Sequence, residues 1–558
     1  MSVPNAVLKN GHNPKMNGTA KWVPPEPLPE REEGVDISKL PNRVADTLAG
    51  RVIFITGGTG FMGKVLLEKI LRVCSDVDTI YLLIRSKKGK EPRQRVEELF
   101  SSPLFGKLKT QMDAATLARK VVGIPGDVSE LNLGMSQEHR QLLIERVSIV
   151  YHAAATIRFD EPLKRAVLLN TRGTKQVLEL AEQMKKLEAF LHISTSYCHL
   201  KERVLYEKLY PPPADPHKII KCVEWLEEDV VNAMTKKILG DLPNTYAFTK
   251  ALSEGLVAEK MDTLPVLILR PSIVIPVWRD PLPGWTDNIN GPTGLLIGAG
   301  KGVIRTMYCN QEGYADYLPV DIAVNGILLA TWNYIANENH GNRVYHLTSS
   351  SEFQITWAEI IDRGRRIVTE KVPLNGVVWY PGGSMKKSKL LHNICVFFFH
   401  LLPAILLDTL IFLSGNKPVL LRVQRRINKG FEVFEYYANN QWDFKNENVV
   451  QLRKIINERE RRCFKIDGDE LDLDIYITDC ILAARQYILN EPLETLPAAR
   501  RHMKIMYWVD VIAKLIFWGL LLWTLASWSE NILDAIKGMF NMVGYIVSSG
   551  GSKMTLGH

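Results

Sequence analysis

Six short apolar runs, rich in Val, Ile, Leu and Tyr, recur along the first half of the sequence and alternate with amphipathic stretches such as Val65–Leu71 and Val177–Met184. Runs of this length without polar interruption are typical of strands buried on both faces, with helices between them covering a parallel sheet. The sequence therefore predicts an α/β fold, a doubly wound Rossmann-type parallel sheet that binds ligands at the carboxyl ends of its strands. The predicted strands are Val52–Ile55, Thr79–Ile84, Val121–Ile124, Ser148–Tyr151, Phe190–Ile193 and Val266–Leu269.

A glycine-rich stretch follows the first predicted strand directly and opens a predicted amphipathic helix. A dinucleotide-binding turn requires this strand–turn–helix setting. Gly57 allows the tight turn, Gly60 lets the backbone approach a pyrophosphate, and Gly63 allows the helix to pack closely on the strand. We therefore expect the cofactor to be held by Thr56, Gly57, Thr59, Gly60, Phe61, Met62 and Gly63.

Arg85 stands at the end of the second predicted strand, followed by Lys87 and Lys88. A guanidinium here suits the 2′-phosphate of NADP, whereas an NAD enzyme has an acidic side chain for the ribose 2′-hydroxyl. We therefore predict NADPH as the cofactor. After the third strand, Asp127 either accepts from the adenine amino group or is a turn carboxylate, and the sequence favours neither. Ala153, after the fourth strand, lets the chain pass the cofactor without a clash.

Three residues form a candidate catalytic set. Thr195 lies at the end of the fifth predicted strand, and Tyr246 and Lys250 lie four residues apart in a helical stretch, so both can face the same crevice. We expect the Lys250 ammonium to favour the phenolate and lower the pKa of Tyr246. Tyr246 can then donate a proton to an oxygen that Thr195 also contacts. Asn170 is interpreted as a helix cap, with a catalytic relay role as the alternative.

Composition narrows the class of partners. Lys+Arg 69 against Asp+Glu 61 gives a net charge of +8, but no continuous basic run has interleaved aromatic residues. The sequence therefore predicts no nucleic-acid partner, and anionic lipid or a phosphorylated ligand fits better. The seven cysteines form no CxxC and no Cys/His cluster at metal-ligand spacing, so we expect free thiols, a reducing compartment and no metal site.

The chain divides into five regions. A disordered N-terminal tail precedes a nucleotide-binding catalytic domain, an apolar membrane-contacting segment, a helical C-terminal domain and a C-terminal membrane anchor separable from the chemistry. Their predicted bounds are 1–47, 48–380, 381–418, 419–495 and 496–558. No secretory signal peptide is expected in the tail, because no apolar core follows the start.

Two segments suggest contact with a membrane. Tyr507–Trp528 is long enough as a helix to span a bilayer, with an interfacial helix as the alternative. Basic residues precede it and acidic residues follow it, so the positive-inside rule predicts a cytosolic catalytic body. Ile394–Leu413, interrupted by Pro403, is interpreted as a membrane-contacting lid or hairpin near the substrate entrance, with a buried core helix as the alternative. We expect the endoplasmic reticulum membrane, with the peroxisomal membrane as the alternative.

The order of glycine turn, strand-end hydroxyl and Tyr-x-x-x-Lys resembles an extended short-chain dehydrogenase/reductase. Further strings resemble the fatty acyl-CoA reductases, especially those of insects, from about Leu48 to Leu489. These strings include Thr56–Lys64, Tyr81–Arg85, His152–Thr156, His192–Tyr197, Tyr246–Glu254, Arg270–Val274, Gly284-Trp285, Asp316 with Pro319–Asp321, and Trp442 with Phe444.

The resemblance implies reduction of a long-chain acyl-CoA by two NADPH to a primary fatty alcohol, with release of CoA through a hemithioacetal and an aldehyde. It makes Thr195, Tyr246 and Lys250 the catalytic residues, and Lys250 would also hold the nicotinamide ribose. Pro271, Ser272 and Ile273 would join the cofactor site. One alternative is another membrane-bound extended dehydrogenase, such as a hydroxysteroid dehydrogenase, and a second is a non-catalytic nucleotide-binding scaffold. The sequence makes no prediction about oligomeric state.

Overall fold

A seven-stranded parallel sheet forms the centre of the computed structural model, which describes residues 36–85, 89–289, 291–336, 342–349, 352 and 354–550. Lys87, Lys88, residues 1–35 of the predicted tail and residues 551–558 of the predicted anchor lie outside the described residues. The strands are β1 Val52–Thr56, β2 Thr79–Ile84, β3 Val121–Pro125, β4 Ile149–His152, β5 Ala189–Ile193, β6 Val204–Leu205, β7 Val266–Pro271, β8 Ile273–Ile275, β9 Thr306–Tyr308, β10 Tyr317–Pro319, β11 Val344–Leu347, β12 Ser384–Lys386 and β13 Asp443–Phe444.

The order of the large sheet is β11-β7-β5-β4-β1-β2-β3. The chain therefore runs outward from β1 through β2 and β3, returns to the other side of β1, and continues through β4, β5 and β7. This reversal between β1 and β4 is the topological switch point at which doubly wound folds bind their ligands. The predicted fold and all six predicted strands are confirmed. β11 and the short strands outside this sheet are additional.

Helices cover both faces of the sheet. They are α1 Arg43–Leu48, α2 Phe61–Val73, α3 Pro92–Phe100, α4 Gly106–Lys109, α5 Ala114–Lys120, α6 Gln137–Arg146, α7 Leu163–Ala166, α8 Gly173–Ala181, α9 Pro216–Trp225, α10 Glu228–Leu239 and α11 Thr245–Ala258. The second half of the chain contributes α12 Pro292–Gly300, α13 Val320–Ala336, α14 Trp357–Arg366, α15 Lys389–Val396, α16 Leu402–Leu413, α17 Leu420–Ala438, α18 Glu447–Ile455, α19 Glu458–Cys463, α20 Leu473–Ala483 and α21 Leu496–Gly550.

Two cores result from the alternation of side chains along each strand. On β1, Ile53 and Ile55 belong to one buried cluster, whereas Val52 and Phe54 belong to the other. Successive side chains of a strand point to opposite faces, so a strand with five buried residues must be covered on both sides. This double burial is the reason that the predicted strands are mostly apolar.

The folded body begins before the predicted end of the tail. Helix α1 places Val44 and Leu48 in the core, and the Arg43 guanidinium pairs with the buried carboxylate of Glu460, with Nε 2.9 Å from Oε1. The end of the predicted 1–47 tail is therefore structured. A short helix becomes stable here because tertiary packing, and not its own propensity, holds it.

The helical region that follows residue 419 is integrated into the catalytic body. Val449 and Leu452 of α18 belong to the same core as Ile53, and Phe444 belongs to the core on the other face. Strand β13 pairs with β6, with Phe444 opposite Leu205. The C-terminal region therefore completes both cores of the sheet.

Within the described residues, two helices are long and apolar enough to cross a membrane, as judged by length and composition: Lys389–Leu413 and Leu493–Trp528. Most large apolar side chains of the first helix are exposed, so the alternative of a buried core helix is wrong. The predicted interruption at Pro403 is also wrong. A π-turn, Phe397–Leu401, leads into α16, and Pro403 lies in the first turn of α16, where its missing N–H is tolerated.

Helix α21 begins as part of the body. Met503 is buried in an apolar cluster with Val377, and His502 Nε2 lies 2.8 Å from the carbonyl oxygen of Val377. Asp510 is also buried, whereas the large apolar side chains from Ile512 to Trp528 are mostly exposed. The predicted region boundary at 496 therefore falls inside the packed structure.

Candidate active site

The glycine turn forms a close-packed link between β1, β4 and α2. Gly57 has a φ of +78°, and a Cβ there would lie 2.7 Å from Ala153 C and Ala154 N. A Cβ on Gly63 would lie 2.3 Å from the carbonyl oxygen of Gly57. Helix α2 starts at Phe61 after Gly60, without a side-chain cap. Its first N–H groups and its dipole therefore form a site suited to the pyrophosphate of a dinucleotide.

A chain of hydrogen bonds behind the turn holds it in register, and its central residue, His152, was not among the predicted site residues. The Thr174 hydroxyl donates to the Asn170 carbonyl, so His152 Nε2–H donates to Thr174 Oγ1 over 2.9 Å. His152 Nδ1 then accepts from Thr56 Oγ1 at 2.7 Å, and Thr56 Oγ1 accepts from Ala154 N–H. Burial lowers the pKa of His152 to about 3, so the imidazole is neutral, as this pattern requires.

Arg85 and Asp127 follow neighbouring strands. The Asp127 carboxylate accepts from the backbone N–H and the hydroxyl of Ser129, at 2.9 and 2.8 Å. These bonds support the interpretation of Asp127 as a turn carboxylate. Its other oxygen lies 3.7 Å from Nε of Arg85, whose side chain is 62% exposed. The guanidinium thus stands at the edge of the cofactor crevice with most of its donors accessible.

Thr195, Tyr246 and Lys250 converge at the carboxyl end of β5. Thr195 follows this strand, and its Oγ1 accepts from the Tyr197 N–H at 3.2 Å. Tyr246 lies in the first turn of α11, with its hydroxyl near that of Thr195. One turn further, Lys250 Nζ donates to the carbonyl oxygen of Ile193 over 2.7 Å. The structure therefore brings the three predicted catalytic residues together.

The pKa shifts of Tyr246 and Lys250 differ from the expectation. Burial raises the pKa of Tyr246 well above 10, and the nearby Thr195 hydroxyl only partly opposes this effect. Burial also lowers the pKa of Lys250 to about 8, although the nearby Cys198 and Glu254 raise this pKa. The predicted lowering of the Tyr246 pKa by Lys250 is therefore wrong in this structure, and Tyr246 is a protonated phenol, the form that a proton donor needs.

The predicted cofactor residues at the end of β7 lie beside this set. The Ser194 N–H donates to the Leu269 carbonyl over 2.7 Å, which joins β5 to β7. Pro271 ends β7, and the N–H groups of Ser272 and Ile273 donate to the carbonyl oxygens of Leu347 and Asp316. The carboxyl ends of β1, β4, β5 and β7 thus form one crevice.

Asn170 is not a helix cap. It lies in the π-turn Val167–Arg172 that joins α7 to α8, and its side chain reaches out of the helix. Its Oδ1 accepts from the Thr156 N–H at 2.8 Å, while Nδ2 donates to the Thr156 carbonyl and the Thr249 hydroxyl. Asn170 therefore ties the loop after β4 to α11, the helix that carries Tyr246.

A buried ion-pair network beneath α11 was not predicted. Glu254 accepts from Arg270 Nε and Nη2 at 2.9 and 2.7 Å, and its Oε2 lies 2.8 Å from His199 Nε2. Burial disfavours the charged imidazole, but Cys198 and Glu254 raise the pKa of His199 to about 10. Donor atoms of Cys198, His199 and Glu254 lie within 4.8 Å of one another. Because the Arg270 guanidinium already engages the carboxylate and would repel a metal cation, this cluster is an ion-pair network.

An aromatic wall closes the site from the C-terminal region. The Phe159 ring lies 5.4 Å from the Tyr246 ring and stacks on Tyr437 of α17 at 5.5 Å. Asn244, the N-cap of α11, donates to the Tyr437 hydroxyl over 2.9 Å. Rings from distant parts of the sequence thus enclose the phenol and limit water around its hydroxyl.

Comparisons with known proteins agree with this geometry. An NAD-binding family model described as "Male sterility protein" matches residues 55–327, and a second model of the same description matches residues 399–491. The first match includes the glycine turn and assigns the crevice to a nicotinamide cofactor. The reductase domain of a non-ribosomal peptide synthetase from Mycobacterium tuberculosis superposes with a TM-score of 0.52 at 17% identity, covering 81% of this chain and 97% of that domain. This similarity supports the fold.

Curated relatives match over nearly the whole chain. Fatty acyl-CoA reductase 1 of Rattus norvegicus is 39% identical over 84% of this chain and 91% of its own length. The Xenopus laevis protein of the same name is 38% identical over 90% of this chain and 97% of its own. A putative fatty acyl-CoA reductase of Drosophila melanogaster is 38% identical, with coverages of 85% and 93%. With this identity over this length, the predicted family is confirmed, and the chain belongs to the fatty acyl-CoA reductases.

Proposed function

We propose that this protein reduces long-chain fatty acyl-CoA to a primary fatty alcohol and releases CoA, using two molecules of NADPH. The observation that carries the proposal is the convergence of Thr195, Tyr246 and Lys250 at the end of β5, in the same crevice as the glycine turn. The turn fits a dinucleotide, because the backbone packing at Gly57 and Gly63 leaves no room for side chains.

The reaction needs two hydrides, which the nicotinamide cofactor supplies, and two protons. As the thioester carbonyl becomes tetrahedral, negative charge develops on its oxygen, and Thr195 and Tyr246 donate hydrogen bonds to that oxygen. Tyr246 transfers its proton, giving a hemithioacetal that expels CoA as the thiol and leaves the aldehyde. The same two hydroxyls receive the aldehyde oxygen in the second reduction. Lys250, anchored on the Ile193 carbonyl, holds the nicotinamide ribose beside Tyr246.

The preference for NADPH rests on Arg85. Its guanidinium stands at the carboxyl end of β2, mostly exposed, and its ion pair with Asp127 spans 3.7 Å. A 2′-phosphate carries more charge than the ribose hydroxyl of NADH and can accept two parallel N–H bonds from a guanidinium. Asp127 then orients Arg85 from the neighbouring strand.

The substrate class and the two apolar helices support a membrane-bound protein with a cytosolic catalytic body. Lys389–Leu413 and Leu493–Trp528 expose large apolar side chains to their surroundings. Such surfaces are stable in lipid and unfavourable in water. We assign the protein to the endoplasmic reticulum membrane, with the peroxisomal membrane as the alternative.

The direct test combines membranes containing the full chain with NADPH and a panel of acyl-CoAs, and detects alcohol by mass spectrometry. Tyr246→Phe removes the proton donor and keeps the ring against Phe159, so turnover should fall by about 10²–10⁴-fold. NADPH affinity, measured by fluorescence titration, should stay near that of the wild type. Turnover within a few-fold of the wild type would remove Tyr246 from the mechanism. A wild-type chain that binds NADPH but reduces no acyl-CoA would favour the scaffold alternative.

A further inference from the structure

Two apolar cavities lie side by side in the described part of the structure. They share wall residues on α12, α14 and β10, among them Leu296, Ile360 and Tyr317. Predominantly apolar walls of this kind are typical of binding sites for small organic ligands. The first cavity is completed by Ile275 and by the apolar face of α20, and the second by the stretch 381–385.

The first cavity is linked to the catalytic residues through Tyr197 and Asp316. The Tyr197 N–H donates to Thr195 Oγ1, and Tyr197 Oη accepts from the N–H of Asp316 at 3.4 Å. The next residue, Tyr317, lines both cavities. On the other side, Ile275 ends β8, the strand that starts at the proposed cofactor residue Ile273. The first cavity is therefore adjacent to the elements that carry Thr195 and the proposed cofactor residue Ile273.

The second cavity ends beneath the two apolar helices. Its wall includes Thr306, whose hydroxyl lies 3.1 Å from Nδ1 of His392 on α15. The neighbouring Arg305 donates its backbone N–H to His400 Nε2 over 2.8 Å. Its guanidinium also pairs with the buried Asp510 of α21, at 3.4 Å. Both candidate membrane helices are thus attached to the wall of this cavity.

We propose that the two cavities form one channel for the alkyl chain of the substrate, with its methyl end beneath the apolar helices, and that Gly364 sets the usable length. This proposal rests on the proposed function. Gly364 lines the second cavity, and a Cβ there would lie 3.0 Å from Cδ2 of Leu296, a residue of the shared wall. A larger side chain at 364 therefore fills the channel between its two halves without meeting backbone.

The test compares decanoyl-CoA with octadecanoyl-CoA as substrates of the full chain in detergent or membranes. In Gly364→Leu, the leucine side chain displaces the methyl end of octadecanoyl-CoA from the channel. Each methylene group that is returned to water lowers kcat/KM about fourfold. Two displaced methylenes predict a loss of about fifteenfold for octadecanoyl-CoA, with little change for decanoyl-CoA. Gly430→Leu is the matched control, because Gly430 also lies on a helix and its Cβ would meet nothing within 4 Å.

A second variant keeps the test decisive if leucine disturbs folding. Leu296→Ala widens the shared wall, so Gly364→Leu combined with Leu296→Ala should recover octadecanoyl-CoA turnover, and Leu296→Ala alone should shift preference toward longer chains. Equal losses for both substrates in a folded Gly364→Leu protein with wild-type NADPH affinity would overturn the channel and leave the proposed function intact. A wild-type protein that reduces neither substrate would instead overturn the proposed function.

Discussion

Replacing Gly57 by Ala tests the cofactor turn, and Gly50→Ala provides a matched control. Both glycines have positive φ, +78° and +67°, a conformation that costs an alanine about 1–2 kcal/mol. A Cβ on Gly50 meets nothing within 4 Å, whereas a Cβ on Gly57 lies 2.7 Å from the backbone of Ala153 and Ala154. The two variants therefore share the conformational penalty and differ in the steric contact.

The steric contact should add to the cost at Gly57. Overpacking a close-packed site typically costs about 1–3 kcal/mol, so Gly57→Ala should lose about 2–5 kcal/mol of stability against about 1–2 kcal/mol for Gly50→Ala. The backbone after β4 must also move, which shifts the turn away from the pyrophosphate. We expect NADPH affinity to fall at least about tenfold, or about 1.4 kcal/mol, only in Gly57→Ala.

The assay measures thermal unfolding and NADPH fluorescence titration on the detergent-solubilised full chain. Both variants should remain folded at the titration temperature, and near-UV circular dichroism checks this condition. Equal destabilisation of the two variants, with wild-type NADPH affinity in both, would refute the assignment of Gly57 to the cofactor turn.

Three further predictions follow from particular contacts. Arg85→Glu should weaken NADPH binding far more than NADH binding in parallel titrations, and equal losses would make Arg85 a surface residue only. A chain that ends before Leu515 should keep NADPH binding and melt like the full chain, whereas one that ends before Arg500 should melt earlier because it lacks the buried Met503 and Asp510. Burial raises the pKa of Glu207 to about 8, so the folded state holds a proton that the unfolded state loses near pH 4. That stability contribution is complete below about pH 4 and is lost as pH rises toward 8, and Glu207→Gln should flatten the pH dependence of melting over this range. An unchanged profile would exclude Glu207 as its source.

The strands of the sheet could be predicted because their apolar character is visible in consecutive residues of the sequence. Strands buried on both faces are mostly apolar, so each appears in the sequence as a near-continuous apolar run. Strand β11 was missed, although β4 is equally short and β5 also contains a histidine; the polar residue of β11 is His346. This histidine is tolerated in the interior because Nε2 accepts from Arg270 at 3.0 Å and Nδ1–H donates to the Lys445 carbonyl. Both partners come from distant parts of the chain.

The site was only partly predictable for the same reason. Strand ends and helix spacing locate Thr195, Tyr246 and Lys250, because a parallel sheet brings its carboxyl ends together. The role of Asn170 depends on Thr156 and Thr249, which only the folded chain brings within hydrogen-bond distance. The pKa of Tyr246 depends on burial, which sequence spacing does not specify.

The first apolar helix and α17 form a hairpin that is attached to the catalytic body at both ends, which constrains its topology. A helix that crosses a bilayer delivers its two ends to opposite sides, and the 25 residues of Lys389–Leu413 span about 37 Å. Yet β12, just before this helix, pairs with β9, and Asn439 at the end of α17 donates to the Tyr308 carbonyl of the same strand.

The return arm of the hairpin is α17, which carries several basic side chains, among them Arg426 and Lys429. Asp408, inside the apolar helix, accepts from the N–H groups of Val419 and Leu420, so α17 starts alongside α16. Charged side chains are unfavourable inside a bilayer, so this hairpin favours insertion from one side over a crossing. Among the described residues, Leu493–Trp528 is the other helix long and apolar enough to cross.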